Sequence, residues 1–240
     1  MWETTIDGRT LHFHLAGINN QNFIMRDEET GSWWQQVSGE AILGPLKGRR
    51  LTPVPMDEIS FALWKREQPR GRVLRPDPRV ANRYAKADWE SGIAKLPVAT
   101  QISDKRLDLR ELIVGITVNG HAKAYLMKDI RQQNPIIDTA GGVPIVIVAD
   151  GQSVRAFSRV VDGKPVDLFA RPETTPITLV DGATGSEWDF TGRATRGPLA
   201  GHQLQRIEIL RDYWFDWRAY HPDTAIYRAG LAAQGPKSTS

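Results

Sequence analysis

The stretch Asp27-Glu28-Glu29-Thr30-Gly31-Ser32-Trp33-Trp34 occurs twice in this chain, and this repetition decides how the rest of the sequence is interpreted. The second copy is Asp181-Gly182-Ala183-Thr184-Gly185-Ser186-Glu187-Trp188. In both copies a Gly-Pro-Leu-x-Gly segment follows, at residues 44–48 and 197–201. A match over so long an ordered run predicts two similar structural units.

The residues shared by the two copies predict turns and a buried core. In Asp-x-x-Thr-Gly-Ser, the aspartate can bond the backbone ahead of it and the glycine can adopt a positive φ, which is typical of a hairpin turn. Gly-Pro-Leu-x-Gly predicts a second turn, because proline fixes its own φ. Trp34 and its counterpart Trp188 are expected to point inward. We therefore expect the shared residues to be structural rather than functional.

Strand patterns dominate the rest of the chain. Residues 10–15 alternate apolar and polar side chains, as a half-buried strand does, so Leu11, Phe13 and Leu15 are expected to face inward. The Asn-Gly pair at 119–120 separates two apolar runs and favours a hairpin with a two-residue loop.

Further along the chain, the continuous apolar run at 143–148 predicts a fully buried strand. Two short helices are predicted at 57–66, with Asp57 as the cap, and at 211–220, because each segment has an apolar stripe and stops just before a proline.

These patterns predict a mainly β (α+β) fold. We expect two pseudo-repeated antiparallel β units, barrel- or sandwich-like, each with one short helix. The predicted boundaries are a first unit at 1–75, incomplete at its N-terminus, a basic connector at 76–111, a second unit at 112–230 and a flexible tail at 231–240.

The composition excludes several classes of function. The 240 residues contain no cysteine, which excludes disulfides, thiol chemistry and cysteine-ligated metals within the chain. No apolar run is long enough to span a membrane, and the first residues lack a signal-peptide pattern. Because no catalytic motif stands out, whether the chain is an enzyme stays open, and no cofactor is indicated.

The basic excess of the chain is unevenly distributed. The formal net charge is +3 and the pI is about 9.2, and the cations concentrate between Lys65 and Lys86, where several prolines interrupt regular structure. We interpret this region as a solvated linker. The alternative is an anion-binding stripe for a membrane surface or nucleic acid, the latter being disfavoured because no nucleic-acid motif accompanies it.

Six residues of the first unit are predicted to form a ligand- or partner-binding site. A site needs oriented donors and acceptors, and three polar residues of the first copy, Asn20, Asn22 and Glu40, align with Thr174, Pro176 and Arg193 in the second. The alternative is that these side chains bond local turns. The six residues are Asn20, Asn22, Asp27, Trp33, Gln36 and Glu40.

His12 and His14 are weak candidates for a metal site. They share the outer face of the strand predicted at 10–15, a spacing that a metal can use, but the sequence offers no obvious third ligand. We expect a solvated pair.

The expected position of Trp33 predicts that the sheet surface around it is covered. If Trp34 points inward, strand alternation places Trp33 on the opposite face, where the second copy has Glu187. An exposed indole beside a sheet edge needs a cover, which can be a ligand, a second chain or a missing half of the first unit. We favour the missing half and expect the natural protein to begin roughly a hundred residues upstream.

Four blocks of the sequence resemble a known family. They are Trp34 to Gly48, Asp104-x-Arg106-Leu107, Val114-Gly115 to Tyr125, and Asp138-Thr139-x-Gly141-Gly142 to Val148. Together they are similar to the family known as domain of unknown function 3179, over most of the chain. The resemblance implies an envelope, periplasmic or secreted bacterial or archaeal protein. In such members a Cys-Pro-x-Cys segment, sometimes with selenocysteine, often follows the apolar strand and suggests redox or metal chemistry.

This chain departs from that family pattern. After the apolar strand it has Ala149-Asp150-Gly151-Gln152-Ser153 in place of the cysteine segment. It therefore looks like an N-terminally truncated member without cysteine.

Three functions remain after this departure. The leading hypothesis is a non-catalytic module that binds a ligand or partner through the first unit. The second is an envelope redox or metal-binding protein whose cysteines lie upstream of Met1, and the third is anion binding through the basic connector.

Overall fold

The computed structural model describes residues 1–19, 22–54, 56–98, 102–172 and 174–229. The fold is mainly β, with 38% of the residues in strands and 13% in helices, which confirms the predicted class. The tail predicted at 231–240 lies outside the described residues.

Twenty strands and four α-helices are assigned in the described residues. The strands up to the middle of the chain are β1 (Thr5–Ile6), β2 (Arg9–Thr10), β3 (Phe13–Asn19), β4 (Asn22–Asp27), β5 (Trp33–Gln35), β6 (Glu40–Leu43), β7 (Leu112–Val118), β8 (His121–Leu126), β9 (Ile136–Ala140) and β10 (Val143–Asp150). The later strands are β11 (Ser153–Ser158), β12 (Val160–Val161), β13 (Lys164–Pro165), β14 (Leu168–Ala170), β15 (Leu179–Asp181), β16 (Glu187–Trp188), β17 (Ala194–Arg196), β18 (Arg206–Ile207), β19 (Ile209–Tyr213) and β20 (Ala225–Ile226). The helices are α1 (Phe61–Glu67), α2 (Trp89–Ile93), α3 (Met127–Gln132) and α4 (Trp214–Tyr220), with a 3-10 helix at Pro78–Arg83.

The chain forms two compact units, each assembled from separated segments. Unit 1 consists of Met1–Asp57, Val98–Leu109 and Tyr213–Pro222, and unit 2 consists of Glu58–Pro97, Arg110–Asp212 and the residues from Asp223 onward. The predicted domain boundaries follow chain order instead and stay a prediction.

Unit 1 is built on one antiparallel sheet with the strand order β3-β4-β5-β6. Trp34 is 1% exposed, so its predicted inward orientation is confirmed. It lies in a small core with the other buried apolar side chains of this unit, which are Ile6, Leu11, Ala41 and Leu51. Helix α4 is also part of unit 1.

Unit 2 is layered around the sheet β9-β10-β11-β18. Alternate residues of β10 enter two different cores: Ile145 and Ile147 pack with residues of the sheet β19-β7-β8-β20, whereas Val146 and Val148 pack with residues of the sheet β14-β15-β16-β17. Because β10 is covered on both faces, it needs apolar residues at every position. The buried strand predicted from the apolar run is therefore confirmed.

No sheet closes on itself among the described residues, so the barrel that was expected as one alternative is not found. Each four-stranded sheet has two edge strands, and β3 and β6 are the edges in unit 1. In these two sheets β4–β5, β5–β6, β15–β16 and β16–β17 are joined by connections of four or five residues.

The two predicted helices form, but both begin later than expected. Helix α1 starts after Ser60, whose hydroxyl accepts a hydrogen bond from the Leu63 backbone N–H, so Ser60 caps the helix and Asp57 does not. Helix α4 starts after Tyr213. Leu63 of α1 lies in a core of unit 2, although α1 follows the first turn motif in the chain.

Candidate functional site

The first turn motif is held together by the carboxylate of Asp27. Asp27 accepts hydrogen bonds from the backbone and hydroxyl of Thr30 and, at 2.7 Å, from the indole N–H of Trp34. The Thr30 and Ser32 hydroxyls are 2.7 Å apart, and the Ser32 hydroxyl accepts a bond from the Leu46 backbone N–H at 3.0 Å. One buried carboxylate and two hydroxyls therefore organise both turns of the motif.

The second turn motif makes corresponding bonds. Asp181 accepts from the backbone and hydroxyl of Thr184, whose hydroxyl lies 2.7 Å from that of Ser186. The Ser186 hydroxyl accepts from the Leu199 backbone N–H at 3.0 Å. One bond differs between the motifs, because the buried indole N–H of Trp188 has no hydrogen-bond partner among the described residues.

Both turn aspartates are stabilised as carboxylates. Burial opposes the ionisation of Asp27, but the hydrogen bonds from Trp34 and Thr30 outweigh it and lower its pKa below the usual value. Burial likewise opposes the ionisation of Asp181, and bonds led by that from the Thr184 hydroxyl lower its pKa. Both carboxylates serve the turns, and ligand binding by Asp27 stays a prediction.

Asn22 contacts a half-buried acid that the sequence patterns did not identify. Its side-chain amide donates a short hydrogen bond to Oδ1 of Asp216 on α4, within unit 1. Burial raises the pKa of Asp216, and the bond from Asn22 opposes that rise. A carboxyl group with a raised pKa beside an amide is a feature of many binding sites. Asn20, predicted for the same site, lies outside the described residues.

A second cluster of polar side chains in unit 1 joins Asp104 and Arg106 to Arg218 of helix α4. Asp104 binds Arg106 at 2.7 Å and Arg218 at 2.6 Å, and the Arg106 guanidinium lies 5.3 Å from the Trp214 ring centre. The two arginines hold the pKa of Asp104 far below its usual range. The pattern Asp104-x-Arg106 was visible in the sequence as part of a family block, but its partner on α4 was not.

The other predicted site residues lie on β5, on β6 and in the loop between them. The backbone carbonyl of Gln36 accepts a 2.7 Å bond from the Trp2 indole, and Gln36 itself is exposed. Glu40 forms a surface ion pair with Arg50 at 2.6 Å. Trp33 is half-buried. Binding roles for these residues, and a ligand or partner at the Trp33 face, stay predictions.

The two histidines, His12 and His14, were the weak metal candidates and were expected to be a solvated pair. His12 Nδ1 lies 2.6 Å from the carboxylate of Glu29, and this contact raises the pKa of His12 and lowers that of Glu29. His14 lies on β3. In the described ranges, no group of three His, Cys, Asp or Glu side chains is placed to hold a metal ion.

The most distinctive surface of unit 1 is an apolar sheet face. Leu15, Ile18 and Phe23 are 56%, 67% and 46% exposed. In the β3–β4 ladder Ile18 is paired with Phe23 and Leu15 with Met25, so these four side chains share one side of the sheet. We call them the open face. The expectation that Leu15 faces inward into a core is wrong, because that core extends only as far as Met25.

Unit 2 contains a separate polar cluster around Asp138. The buried Tyr125 hydroxyl donates to Asp138 at 2.8 Å, and Lys123 Nζ lies 2.6 Å from the same carboxylate. Lys123 also lies over the stacked rings of Tyr125 and Tyr227. Burial and the nearby Asp138 carboxylate raise the pKa of Tyr125 far above its usual value. The cluster satisfies the polar groups between β8 and β9.

Comparisons with known proteins give a family and nothing beyond it. A family model described as "Protein of unknown function (DUF3179)" matches residues 1–224. No curated protein and no solved structure matches the chain. No helix in the described part of the chain is long and apolar enough to cross a membrane.

Proposed function

This chain belongs to the DUF3179 family, and we propose that it is a non-catalytic binding protein whose unit 1 binds a second copy of the chain through the open face. The observation that carries the proposal is the exposure of three large apolar side chains on one side of the β3–β4 hairpin, two of them on the edge strand β3. An envelope location, implied by the family resemblance, is part of the same proposal.

We propose further that the two units are pseudo-repeats, so that the surroundings of a residue in one unit can be compared with those of its counterpart in the other. The matching hydrogen bonds of the two turn motifs support this. A second support is that an aromatic ring lies over the equivalent glycine in each unit. A Cβ added to Gly39 would come within 2.7 Å of the Trp2 ring, and one added to Gly192 within 2.6 Å of the Phe157 ring.

The comparison of the two units identifies what is uncovered in unit 1. Ladder register makes Leu179 the counterpart of Met25, because each stands two residues before its turn aspartate. Leu179 is buried in a core with Val146, Val148 and Phe157, which belong to a second sheet. Met25 is only partly buried in a small core. The open face thus corresponds to a surface that a second sheet covers in unit 2.

A second copy of the chain fits this surface by chemistry and by hydrogen bonding. If two β3 strands pair antiparallel about a two-fold axis normal to the sheet, the open faces of both copies lie on the same side of one continuous sheet, with their apolar side chains next to each other. Strand β3 is an edge of its sheet, has seven residues and contains neither proline nor Lys, Arg, Asp or Glu. Edge strands are usually short or carry such residues to prevent pairing. In the described β3–β4 ladder, the bulge between Leu15 and Gly17 is the only feature that hinders pairing with another strand.

The redox or metal alternative depends on a cysteine segment that these 240 residues do not contain. No described side-chain group supports it.

Sedimentation equilibrium over a wide range of protein concentration tests the proposal. We expect a monomer–dimer equilibrium whose dissociation constant rises at least about tenfold in the double variant Leu15→Gln/Ile18→Gln, because the apolar contact is lost. The matched control is Phe169→Gln on β14, an edge strand of unit 2 with a 61% exposed ring. The proposal would be contradicted if the chain stayed monomeric at all concentrations. It would also be contradicted if Phe169→Gln raised the dissociation constant as much as Leu15→Gln/Ile18→Gln did.

A further inference from the structure

A strongly basic and almost fully exposed segment spans residues 70–89, and we call it the basic segment. Within it, all residues except Asp77 and Val80 are exposed. It carries six basic and two acidic residues, a net charge of +4 compared with +3 for the whole chain. The rest of the chain is therefore close to neutral, and the basic character of the protein is a local property.

Most cations of the basic segment are free to bind an anionic partner. Arg79 pairs with Asp77 at 2.7 Å. For the other five, no ion pair is found within the described part of the chain; they are Arg70, Arg72, Arg75, Arg83 and Lys86. Internal carboxylates thus neutralise little of this charge.

Apolar side chains stand between the cations. Val73 is 65% exposed and Leu74 is 93% exposed, and both lie between Arg72 and Arg75. A leucine with almost no protein contact gains nothing from folding, so folding stability does not explain it. Trp89, which is 54% exposed, ends the segment.

The start of the basic segment, a loop over residues 70–75, packs against helix α1. A Cβ at Gly71 would clash with the Trp64 ring, which shows how closely the loop backbone lies on helix α1. Phe61 of the same helix stacks on Trp64, with the ring centres 5.5 Å apart, and is 62% exposed. Two prolines, Pro69 and Pro76, flank the loop.

From these features we propose that the basic segment docks on an anionic lipid surface, with Val73 and Leu74 entering the headgroup region. Clustered basic residues are attracted to anionic lipids, each raising the partition by about fivefold. Apolar and aromatic side chains beside them add insertion into the interface. The inference uses different residues from the open face and does not depend on dimer formation.

Single-stranded nucleic acid is the competing anionic partner, and the side chains favour the lipid. Proteins hold single strands by stacking bases on aromatic rings. The exposed apolar residues among the arginines at 70, 72 and 75 are the aliphatic Val73 and Leu74, and the two aromatic rings of the basic segment, Tyr84 and Trp89, lie further along the chain. The Tyr84 hydroxyl accepts a bond from the Asp77 backbone N–H at 2.8 Å, which ties that ring to the segment itself.

Vesicle co-sedimentation of the full chain tests the proposal. Phosphatidylcholine vesicles with about one third phosphatidylserine are compared with phosphatidylcholine alone, at low and high salt. We expect salt-sensitive binding to the anionic vesicles alone. Arg70→Gln/Arg72→Gln/Arg75→Gln should weaken it at least about tenfold. Val73→Ser/Leu74→Ser should weaken it several-fold while leaving its salt dependence unchanged.

The control removes three exposed cations elsewhere. Arg9→Gln/Lys47→Gln/Lys164→Gln changes the net charge equally and should weaken binding by at most about twofold. Equal weakening by the control would overturn the proposal, as would no binding to anionic vesicles. Tighter binding to a single-stranded oligonucleotide that Val73→Ser/Leu74→Ser leaves unchanged would also overturn it, in favour of nucleic acid. Matching urea-unfolding curves establish that all variants fold.

Discussion

The indole N–H of Trp34 donates a 2.7 Å hydrogen bond to Oδ2 of Asp27, which fixes a buried ring to the turn that precedes it. Trp188 occupies the same place in the second motif and is equally buried, yet its N–H has no partner among the described residues. Because this hydrogen bond distinguishes two equally buried rings, substitutions of Trp34 and Trp188 can be compared directly.

We predict that Trp34→Phe destabilises the protein more than Trp188→Phe does, by about 2 kcal/mol. Both substitutions remove similar volume, but the first also removes a bond to a carboxylate. The second removes a buried N–H that has no partner among the described residues, and burying such a group is costly. Urea unfolding of both variants measures the difference, and equal losses would contradict it.

Asp27 and Asp181 should make the protein sensitive to acid. Their folded pKa values are lowered, so each contributes stability above the unfolded value of about 3.8. That stability is lost as the pH falls through the folded pKa. We expect the free energy of unfolding to drop below about pH 4 in the wild type. The drop should be smaller in Asp27→Asn and Asp181→Asn, and unchanged acid sensitivity in both variants would refute this origin.

Glu67 and Arg66 are adjacent on α1 but should respond very differently to substitution. Arg155 is buried, with its side chain 4% exposed, and Glu67 binds it through both oxygens at 2.7 Å. Glu67→Gln removes the carboxylate charge from a two-bond pair with a buried guanidinium and should cost about 3 kcal/mol. Arg66 makes a surface pair with Asp150, so Arg66→Gln should cost at most about 1 kcal/mol. Similar unfolding free energies for the two variants would argue against a buried ion pair.

Gly39 tests the aromatic cover of the unit 1 core. Its φ is +66° and an added Cβ would lie 2.7 Å from the Trp2 ring, whereas Gly48 has a φ of +85° and nothing within 4 Å. Gly48→Ala should cost about 1 kcal/mol from backbone strain alone. Gly39→Ala should cost about 1–3 kcal/mol more, because the indole must move. Thermal unfolding separates the two, and equal costs would mean that Trp2 does not cover Gly39.

Local structure was predictable here because it depends on neighbouring residues. Both turn motifs and the inward tryptophans follow from Asp, Gly and Trp spacing. The burial of β10 follows from its unbroken apolar run. The start of α1 was misplaced because Asp57 and Ser60 are both suitable caps, and only the fold decides that Ser60 accepts the bond from Leu63.

What the sequence patterns could not predict depends on contacts between distant segments. Asn22 and Asp216 are 194 residues apart, and neither belongs to a motif that points to the other. The assignment of Leu63 to a core of unit 2 has the same cause. Leu15 was expected inside because alternation identifies the apolar side of a strand, but it does not say whether another layer covers that side.

Hydrogen–deuterium exchange can show whether the open face and the β3 edge bind a second copy of the chain. The measurement compares exchange in residues 13–19 at protein concentrations well above and well below the dimer dissociation constant. If β3 pairs with its copy, its amides that point away from β4 exchange more slowly in the concentrated sample, and Leu15→Gln/Ile18→Gln removes that protection. Exchange in β3 that is the same at both concentrations would contradict the account.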